Sequence, residues 1–257
     1  MDFGMPTLIE CPELTESIML CKKLKLQFVE LNMNLPQYQI NQIDIAKAKM
    51  LLNKNGIYCT IHLEEAFNVC DFNSEVANAY LKTALSAIDI SKQLDVPIIN
   101  MHMPLGVYFT LPDKRVYLFS EYEQLYLERL TNFRNCCDSA IGRSGIKICV
   151  ENCDGHQAFQ IKGINLLLES ENFGLTYDIG HAYTCGFVDE EFTLSHKSRL
   201  NHMHIHDGLF EKNHLALGNG EIDIKRYLKL AQKLNCRCVL ETKTIKALET
   251  SVEWLNL

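Results

Sequence analysis

Strand-like and helix-like segments alternate along the whole chain. Eight short apolar runs, rich in β-branched residues or cysteine, are predicted to be strands. The stretches between them have apolar residues at helical spacing, and eight such units in about 250 residues are typical of a TIM barrel. We therefore predict that residues 1–257 form one α/β domain, a single (β/α)8 barrel. The predicted strands lie at residues 3–9, 27–32, 57–63, 97–102, 146–151, 174–179, 201–206 and 236–241.

A doubly wound open sheet is the alternative architecture. It would have fewer strands and usually a glycine-rich phosphate turn, and the chain contains neither GxGxxG nor GxxxxGK. No linker or low-complexity segment divides the chain. The longest irregular stretch, Met103 to Lys114, follows the fourth predicted strand. It is predicted to be a loop, acting either as a lid over the barrel mouth or as a plain surface loop.

The composition favours one large domain that acts on a small molecule. With 257 residues and 47% hydrophobic content, the chain can bury a sizeable core. Its net charge of −7 argues against nucleic acid as a partner, because phosphate backbones are bound by lysine and arginine. We expect no membrane segment and no secretory signal. The odd number of cysteines, without a CxxC pair, indicates a reducing compartment. The predicted location is therefore the cytoplasm.

Four polar residues lie at the ends of the last four predicted strands: Glu151, Asp178, His204 and Glu241. In a parallel barrel this is the end at which ligand sites form. Three carboxylates and an imidazole gathered there would either repel one another or bind a divalent cation. For Glu151 or Glu241 alone, a structural ion pair would account equally well for a carboxylate at the end of a buried strand. The repetition on several strands favours a metal site.

Further histidines extend the pattern to other strands. Two of them end the third and fourth strands, one belongs to the segment DIGH, and three alternate in NHMHIHDG, so that they share one strand face. His214 lies a few residues further on, in HLALGNGEID. Asp178 of DIGH has an ordinary alternative role as a helix N-cap. We predict that a subset of these histidines binds a second metal or the substrate: His62, His102, His181, His206 and His214.

The segments VENCDG, YDIGHA, HMHIHDG, HLALGNGEID and LET resemble the xylose-isomerase-like TIM-barrel superfamily. This superfamily includes sugar isomerases and epimerases and the endonuclease IV family. The resemblance implies that Glu151, Asp178, His204 and Glu241 bind a divalent metal and that His181 contacts substrate. It implies isomerisation or epimerisation of a sugar or sugar phosphate through a metal-stabilised enediolate. Glu151 and Glu241 would then transfer the proton, with manganese, magnesium or cobalt as the metal.

The endonuclease IV branch implies a different function, a zinc-dependent hydrolase of a phosphoester or ribosyl-phosphate substrate. His62 and His102 match the additional zinc ligands of that branch, and His181 and His214 match parts of a third zinc site. An aspartate of that third site is replaced by Lys212, unless Glu211 or Asp207 substitutes for it. This mismatch and the acidic net charge make abasic DNA the less favoured substrate.

Two further questions stay open at the level of the sequence. A barrel that binds a sugar without converting it would not need both Glu151 and Glu241 at its mouth, so we rank this function last. A homo-oligomer is compatible with the apolar residues of the predicted outer helices, which could pack against a partner or against the barrel.

Overall fold

The computed structural model describes all residues, 1–257. Eight of its twelve strands are the predicted ones, and the other four form two small hairpins. In chain order the strands are β1 Phe3–Pro6, β2 Phe28–Asn32, β3 Tyr58–His62, β4 Ile98–His102, β5 Tyr108–Thr110, β6 Arg115–Tyr117, β7 Lys147–Glu151, β8 Phe173–Asp178, β9 Leu200–Ile205, β10 Asp207–Leu209, β11 Lys212–Leu215 and β12 Arg237–Leu240.

The eight long strands close into a barrel. Their order around the ring is β1, β2, β3, β4, β7, β8, β9 and β12, and every neighbouring pair is parallel. The ring closes where Phe3 of β1 pairs with Cys238 of β12. The strands follow one another around the ring in chain order, so all their carboxyl ends lie at one rim. The prediction of a single (β/α)8 barrel is confirmed.

Helices surround the barrel and bury their apolar faces against it. The segment 74–94 forms one long helix, and the helix Ile45–Asn55 ends at Gly56, which has a φ of 66°. None of the helices is both long and apolar enough to cross a bilayer. The helices are α1 Leu14–Lys23, α2 Ile45–Asn55, α3 Ser74–Leu94, α4 Leu118–Glu121, α5 Glu123–Ile141, α6 Ala158–Leu167, α7 Ile179–Thr184, α8 Glu190–Ser195, α9 Ile224–Leu234 and α10 Ile245–Leu255.

The stretch Met103 to Lys114 is not irregular throughout. Residues Tyr108–Thr110 pair in antiparallel fashion with Arg115–Tyr117, so this part of the chain is a β-hairpin. The hairpin stands beside the barrel mouth, and Phe109 at its centre is exposed. The prediction missed it because each strand has only three residues and neither face is buried, which leaves no alternation of apolar and polar residues to detect.

The cysteines serve mainly as small core residues. All eleven are free thiols, and eight of them are buried. Burial raises the pKa of the Cys59 and Cys149 thiols to about 12, so these groups stay neutral and unreactive. This agrees with the absence of a disulfide or zinc-knuckle pattern in the sequence.

Candidate active site

The carboxyl ends of β7, β8, β9 and β12 bring four of the predicted residues together. Glu151 and Asp178 are the last residues of β7 and β8, His204 lies one residue before the end of β9, and Glu241 follows β12 directly. All four side chains are buried. One potential ligand atom from each lies within 4.8 Å of the others. The structure therefore places the predicted metal ligands in one cluster at one rim.

The imidazole of His204 lies at the centre of this cluster. Its Nδ1 atom is 3.0 Å from Oε1 of Glu151, 3.1 Å from Oε2 of Glu241 and 3.6 Å from Oδ2 of Asp178. A single N–H group cannot donate to three carboxylates, and Oε2 of Glu241 is a buried atom without a hydrogen-bond partner. A divalent cation would satisfy all four groups at once, so the residues present fit a bound metal.

The pKa values of the clustered groups are set mainly by burial and by the charges of their neighbours. Burial by itself would raise the pKa of the Glu151 carboxyl, but the imidazoles of His204 and His102 hold it well below its usual range. Burial likewise opposes ionisation of His204, but Glu151, Glu241 and Glu30 raise its pKa well above normal. The carboxylates are thus ionised at neutral pH, which is the state that binds a cation.

Asp178 is an N-cap, as the sequence suggested, and its side chain also lies in the candidate metal cluster. Its Oδ1 accepts a hydrogen bond of 2.7 Å from the backbone N–H of His181, which makes Asp178 the N-cap of α7. The same carboxylate accepts from Nε2 of His206 at 3.0 Å. These two donors orient Asp178 toward the cluster, so the cap and the candidate ligand are one side chain.

His206 supports Asp178 through a hydrogen bond, and it also lies in a group with His181 and His214 whose ring nitrogens are within 4.8 Å of one another. The backbone N–H of His214 donates to Nδ1 of His206 at 2.8 Å, so the proton of this imidazole is on Nε2, facing Asp178. Both ring nitrogens are therefore occupied. The imidazole packs against Gly180, where an added Cβ would lie 1.8 Å from the ring. Gly180 is required for this close contact, and its φ is not positive.

His62 and His102 approach the cluster from the opposite side. Their Nε2 atoms lie 3.3 Å and 3.4 Å from Oε2 of Glu151, which also accepts from the side-chain amide of Asn100. Nδ1 of His62 donates to the carbonyl of Leu63 at 2.7 Å. Neutral His62 would therefore direct a lone pair at the carboxylate. Only a proton or a metal ion between the two groups makes this contact favourable.

His181 and His214 line the cavity above the cluster, which has a volume of about 280 Å³. Nδ1 of His214 donates to the carbonyl of Glu241 at 3.1 Å, and burial lowers the pKa of this imidazole to about 4. Nδ1 of His181 is buried without a hydrogen-bond partner. Both side chains are thus placed to contact a molecule in the cavity. The lining residues are Asn32, His62, Glu65, His102, Glu151, Cys153, Asp154, His181, His214, Glu241 and Lys243.

Asp207 cannot serve as the missing ligand of a third metal site. Its two carboxylate oxygens accept hydrogen bonds from the backbone N–H groups of Gly208, Gly218, Gly220 and Ile222, at 2.9 to 3.1 Å. These bonds fix the loop GNGEID after the β10–β11 hairpin. Lys212, which replaces the expected aspartate, is exposed on β11, and Glu211 is exposed at the turn of the same hairpin.

The sequence matches a known family over almost its whole length. The family model described as "Xylose isomerase-like TIM barrel" matches residues 18–257. The chain belongs to this family. Its predicted resemblance to the xylose-isomerase-like superfamily is thereby confirmed.

Solved structures of the family share the barrel at low sequence identity. A D-tagatose 3-epimerase-like protein superposes with a TM-score of 0.80 at 23% identity, covering 100% of this chain and 96% of that one. A 3-keto-D-glucoside 4-epimerase of E. coli gives 0.79 at 14% identity, covering 100% and 99%. The IolI protein, solved with a bound zinc atom, gives 0.72 at 14% identity, covering 98% and 96%. Sugar epimerases are thus among the structural neighbours of this family member.

Two charged residues of the site were not identified from the sequence. Lys243 lines the cavity, and its Nζ lies 2.9 Å from Oε1 of Glu241. Glu30, in the middle of β2, is buried within the barrel, and its Oε1 lies 2.9 Å from Nε2 of His204. A signal for Glu30 was present, because it interrupts the apolar run FVELN, where an unpaired charge would be very unfavourable.

The stability of the metal-free protein is expected to fall as the pH rises from about 6.5 to 9. Burial lowers the pKa of His62, but Glu151 and Glu30 raise it, to a net value of about 9 from 6.5. Protonated His62 stabilises the folded state fully below pH 6.5, and this stabilisation is lost above pH 9. The free energy of unfolding should fall by about 3 kcal/mol over this range. Urea unfolding in chelator at several pH values measures this dependence. The His62→Gln variant should have a shallower pH dependence than the wild type, and equal slopes would contradict the assignment.

Proposed function

We propose that this protein is a divalent-metal-dependent epimerase or isomerase of a sugar or sugar phosphate. The observation that carries the proposal is the convergence of Glu151 and Glu241 on the Nδ1 atom of His204, at 3.0 and 3.1 Å. A divalent ion held by these residues and Asp178 would polarise the substrate carbonyl and acidify the neighbouring C–H bond. The sugar epimerases among the structural neighbours support the same reaction class.

The two glutamates are placed to transfer the proton. In the ring of eight strands, β7 and β12 are separated by β8 and β9, so Glu151 and Glu241 flank the cluster from two sides. One carboxylate would remove the proton from the carbon next to the carbonyl and release it to solvent. The other, protonated from solvent, would deliver a proton to the opposite face, which inverts that centre. Return of the proton to the neighbouring carbon instead gives isomerisation. Despite burial, His204 and Lys243 hold the pKa of the Glu241 carboxyl well below its usual range, so Glu241 is ionised and has a free oxygen to accept a proton.

The shape and polarity of the mouth suit a small polyol. The cavity above the cluster is lined almost entirely by polar side chains, which can hydrogen-bond to hydroxyl groups. A second cavity of about 320 Å³ adjoins it and shares Glu151, Cys153 and Asp154 as walls. Arg115 lines this second cavity and has no carboxylate partner, so a phosphate at the far end of the substrate has a cation available.

Proton exchange with solvent tests the proposal. The manganese-loaded protein is incubated in D2O with D-tagatose, D-allulose, D-fructose and their phosphates, and the products are analysed by NMR. We expect deuterium at a carbon next to the carbonyl of at least one sugar, together with its epimer or isomer. The exchange should stop in chelator and return with added metal. Absence of exchange from every sugar, with hydrolysis of a phosphodiester by the same preparation, would contradict the proposal.

The zinc-dependent hydrolase remains the second candidate because of one specific contact. His62 and His102 both face Oε2 of Glu151, the oxygen directed away from His204, and a second metal ion could be bound there. A third ion would have to be held by His181, His206 and His214, whose ring nitrogens lie within 4.8 Å of one another. Against it, both nitrogens of His206 have hydrogen-bond partners and Asp207 is saturated by backbone donors. Two tightly bound zinc ions per chain would favour the hydrolase, whereas one ion favours the epimerase.

A further inference from the structure

Glu30 is a buried carboxylate inside the barrel, below the candidate metal cluster. It lies at the centre of β2 between the fully buried Val29 and Leu31, and its own exposed fraction is 2%. No lysine or arginine contacts it. Burying an isolated carboxylate is very unfavourable, so the few polar groups around Glu30 must account for its presence.

Three side chains contact the Glu30 carboxylate, and they divide its two oxygens between them. Oε2 accepts a hydrogen bond of 2.8 Å from the hydroxyl of Thr60, on the adjacent strand β3. The same oxygen lies 3.5 Å from Nε2 of His202. Oε1 lies 2.9 Å from Nε2 of His204. Thr60 thus fixes the orientation of the carboxylate, which leaves Oε1 directed at His204.

This contact determines which nitrogen of His204 faces the cluster. A carboxylate can only accept, so Nε2 of His204 carries the hydrogen that lies toward Glu30. Nδ1 is then the atom directed at Glu151, Asp178 and Glu241. An imidazole that donates its remote N–H group to a carboxylate is held in one tautomer and one ring orientation, and it is a stronger ligand.

We propose that Glu30 is a positioning residue for the metal site, which orients His204 so that Nδ1 is the ligand atom. The inference rests on the proposed function only in that it takes His204 as a metal ligand. Glu30 itself contacts neither the cavity nor the other three candidate ligands. Its effect on a bound ion therefore passes through His204.

Metal affinity measured by calorimetry tests this role apart from activity. The Glu30→Gln variant keeps the size of the side chain but replaces the charged acceptor by a neutral amide. We expect it to bind Mn²⁺ or Zn²⁺ about 10- to 100-fold more weakly than the wild type. The matched control is Glu190→Gln, since Glu190 pairs with Arg226 and Tyr227 away from the cluster. This control should bind metal as the wild type does.

The tautomer of His204 provides a readout that a purely structural role for Glu30 would not affect. In the zinc-loaded wild type, ¹⁵N-resolved NMR of the histidine rings should show His204 bound through Nδ1 with its proton on Nε2. This measurement needs no variant, so it holds even if Glu30→Gln fails to fold. Coordination through Nε2, or unchanged affinity in a folded Glu30→Gln variant, would overturn the inference.

The outcomes also separate this inference from the proposed function. If the wild type binds a metal and exchanges sugar protons but Glu30→Gln binds the metal equally well, only the role of Glu30 is wrong. If the wild type binds no divalent ion, both fail together. If the metal is bound through Nδ1 of His204, and more weakly by Glu30→Gln, but no sugar is converted, the role of Glu30 stands and the proposed reaction is wrong.

Discussion

The Glu151→Gln variant is expected to lose the proposed epimerase or isomerase activity by about 10³-fold or more. Glu151 is both a candidate ligand and a candidate base, and its carboxylate contacts His62, His102 and His204. The amide is nearly the same size but can neither accept a proton nor supply the negative charge. Turnover under saturating metal, measured with the substrate identified by proton exchange, gives the effect.

The loss must be distinguished from a loss of folding. Circular dichroism and the unfolding midpoint of Glu151→Gln should show a folded barrel, because the substitution leaves the volume of the buried side chain unchanged. Glu190→Gln provides a control for the chemical change, since its carboxylate is paired on the outer helices. A folded Glu151→Gln variant with wild-type turnover would remove Glu151 from the catalytic role.

The same Asp→Asn substitution is expected to affect metal binding at one buried aspartate of the rim and stability at another. Asp178 approaches Nδ1 of His204, whereas Asp207 accepts only from backbone N–H groups of its own loop. Asp178→Asn should weaken metal binding by more than the roughly 10- to 100-fold that loss of a supporting contact causes. Asp207→Asn should leave metal binding intact but lower the free energy of unfolding by about 3 kcal/mol. The reason is that the backbone N–H groups would then donate to a neutral amide instead of a carboxylate.

Calorimetric metal titration and urea unfolding of both variants measure this contrast. Asp178→Asn is expected to lower the metal affinity much more than the free energy of unfolding. Asp207→Asn is expected to lower the free energy of unfolding much more than the metal affinity. Equal loss of metal affinity in the two variants would contradict the assignment of Asp178 as a metal ligand.

The barrel could be predicted because its strands are buried on both faces and leave clear apolar runs. The runs at residues 57–63 and 97–102 match β3 and β4 closely. The β5–β6 hairpin could not be predicted, because its strands are short and exposed. Strand periodicity comes from burial on one face, and this hairpin has no buried face.

For the candidate site, the sequence indicated which polar residues lie at the strand ends. It did not indicate which atoms of these residues are hydrogen-bonded to one another. The metal or substrate contact of His206 stays a prediction, and the sequence did not indicate the hydrogen bonds of its two nitrogens with Asp178 and with the backbone of His214. The second of these bonds depends on the β10–β11 hairpin, because His214 of β11 lies beside His206. Glu30 lies far from the other site residues along the chain, and only closure of the ring brings β2 within reach of His204 on β9.

The central claim is that Glu151, Asp178, His204 and Glu241 together bind one divalent ion. Metal analysis of the protein after mild purification, combined with titration of chelator-treated wild type with Mn²⁺, tests this most directly. We expect one tightly bound ion per chain in the wild type and loss of that ion in Asp178→Asn. Failure of the wild type to bind any divalent ion, or equal binding by Asp178→Asn, would contradict the account.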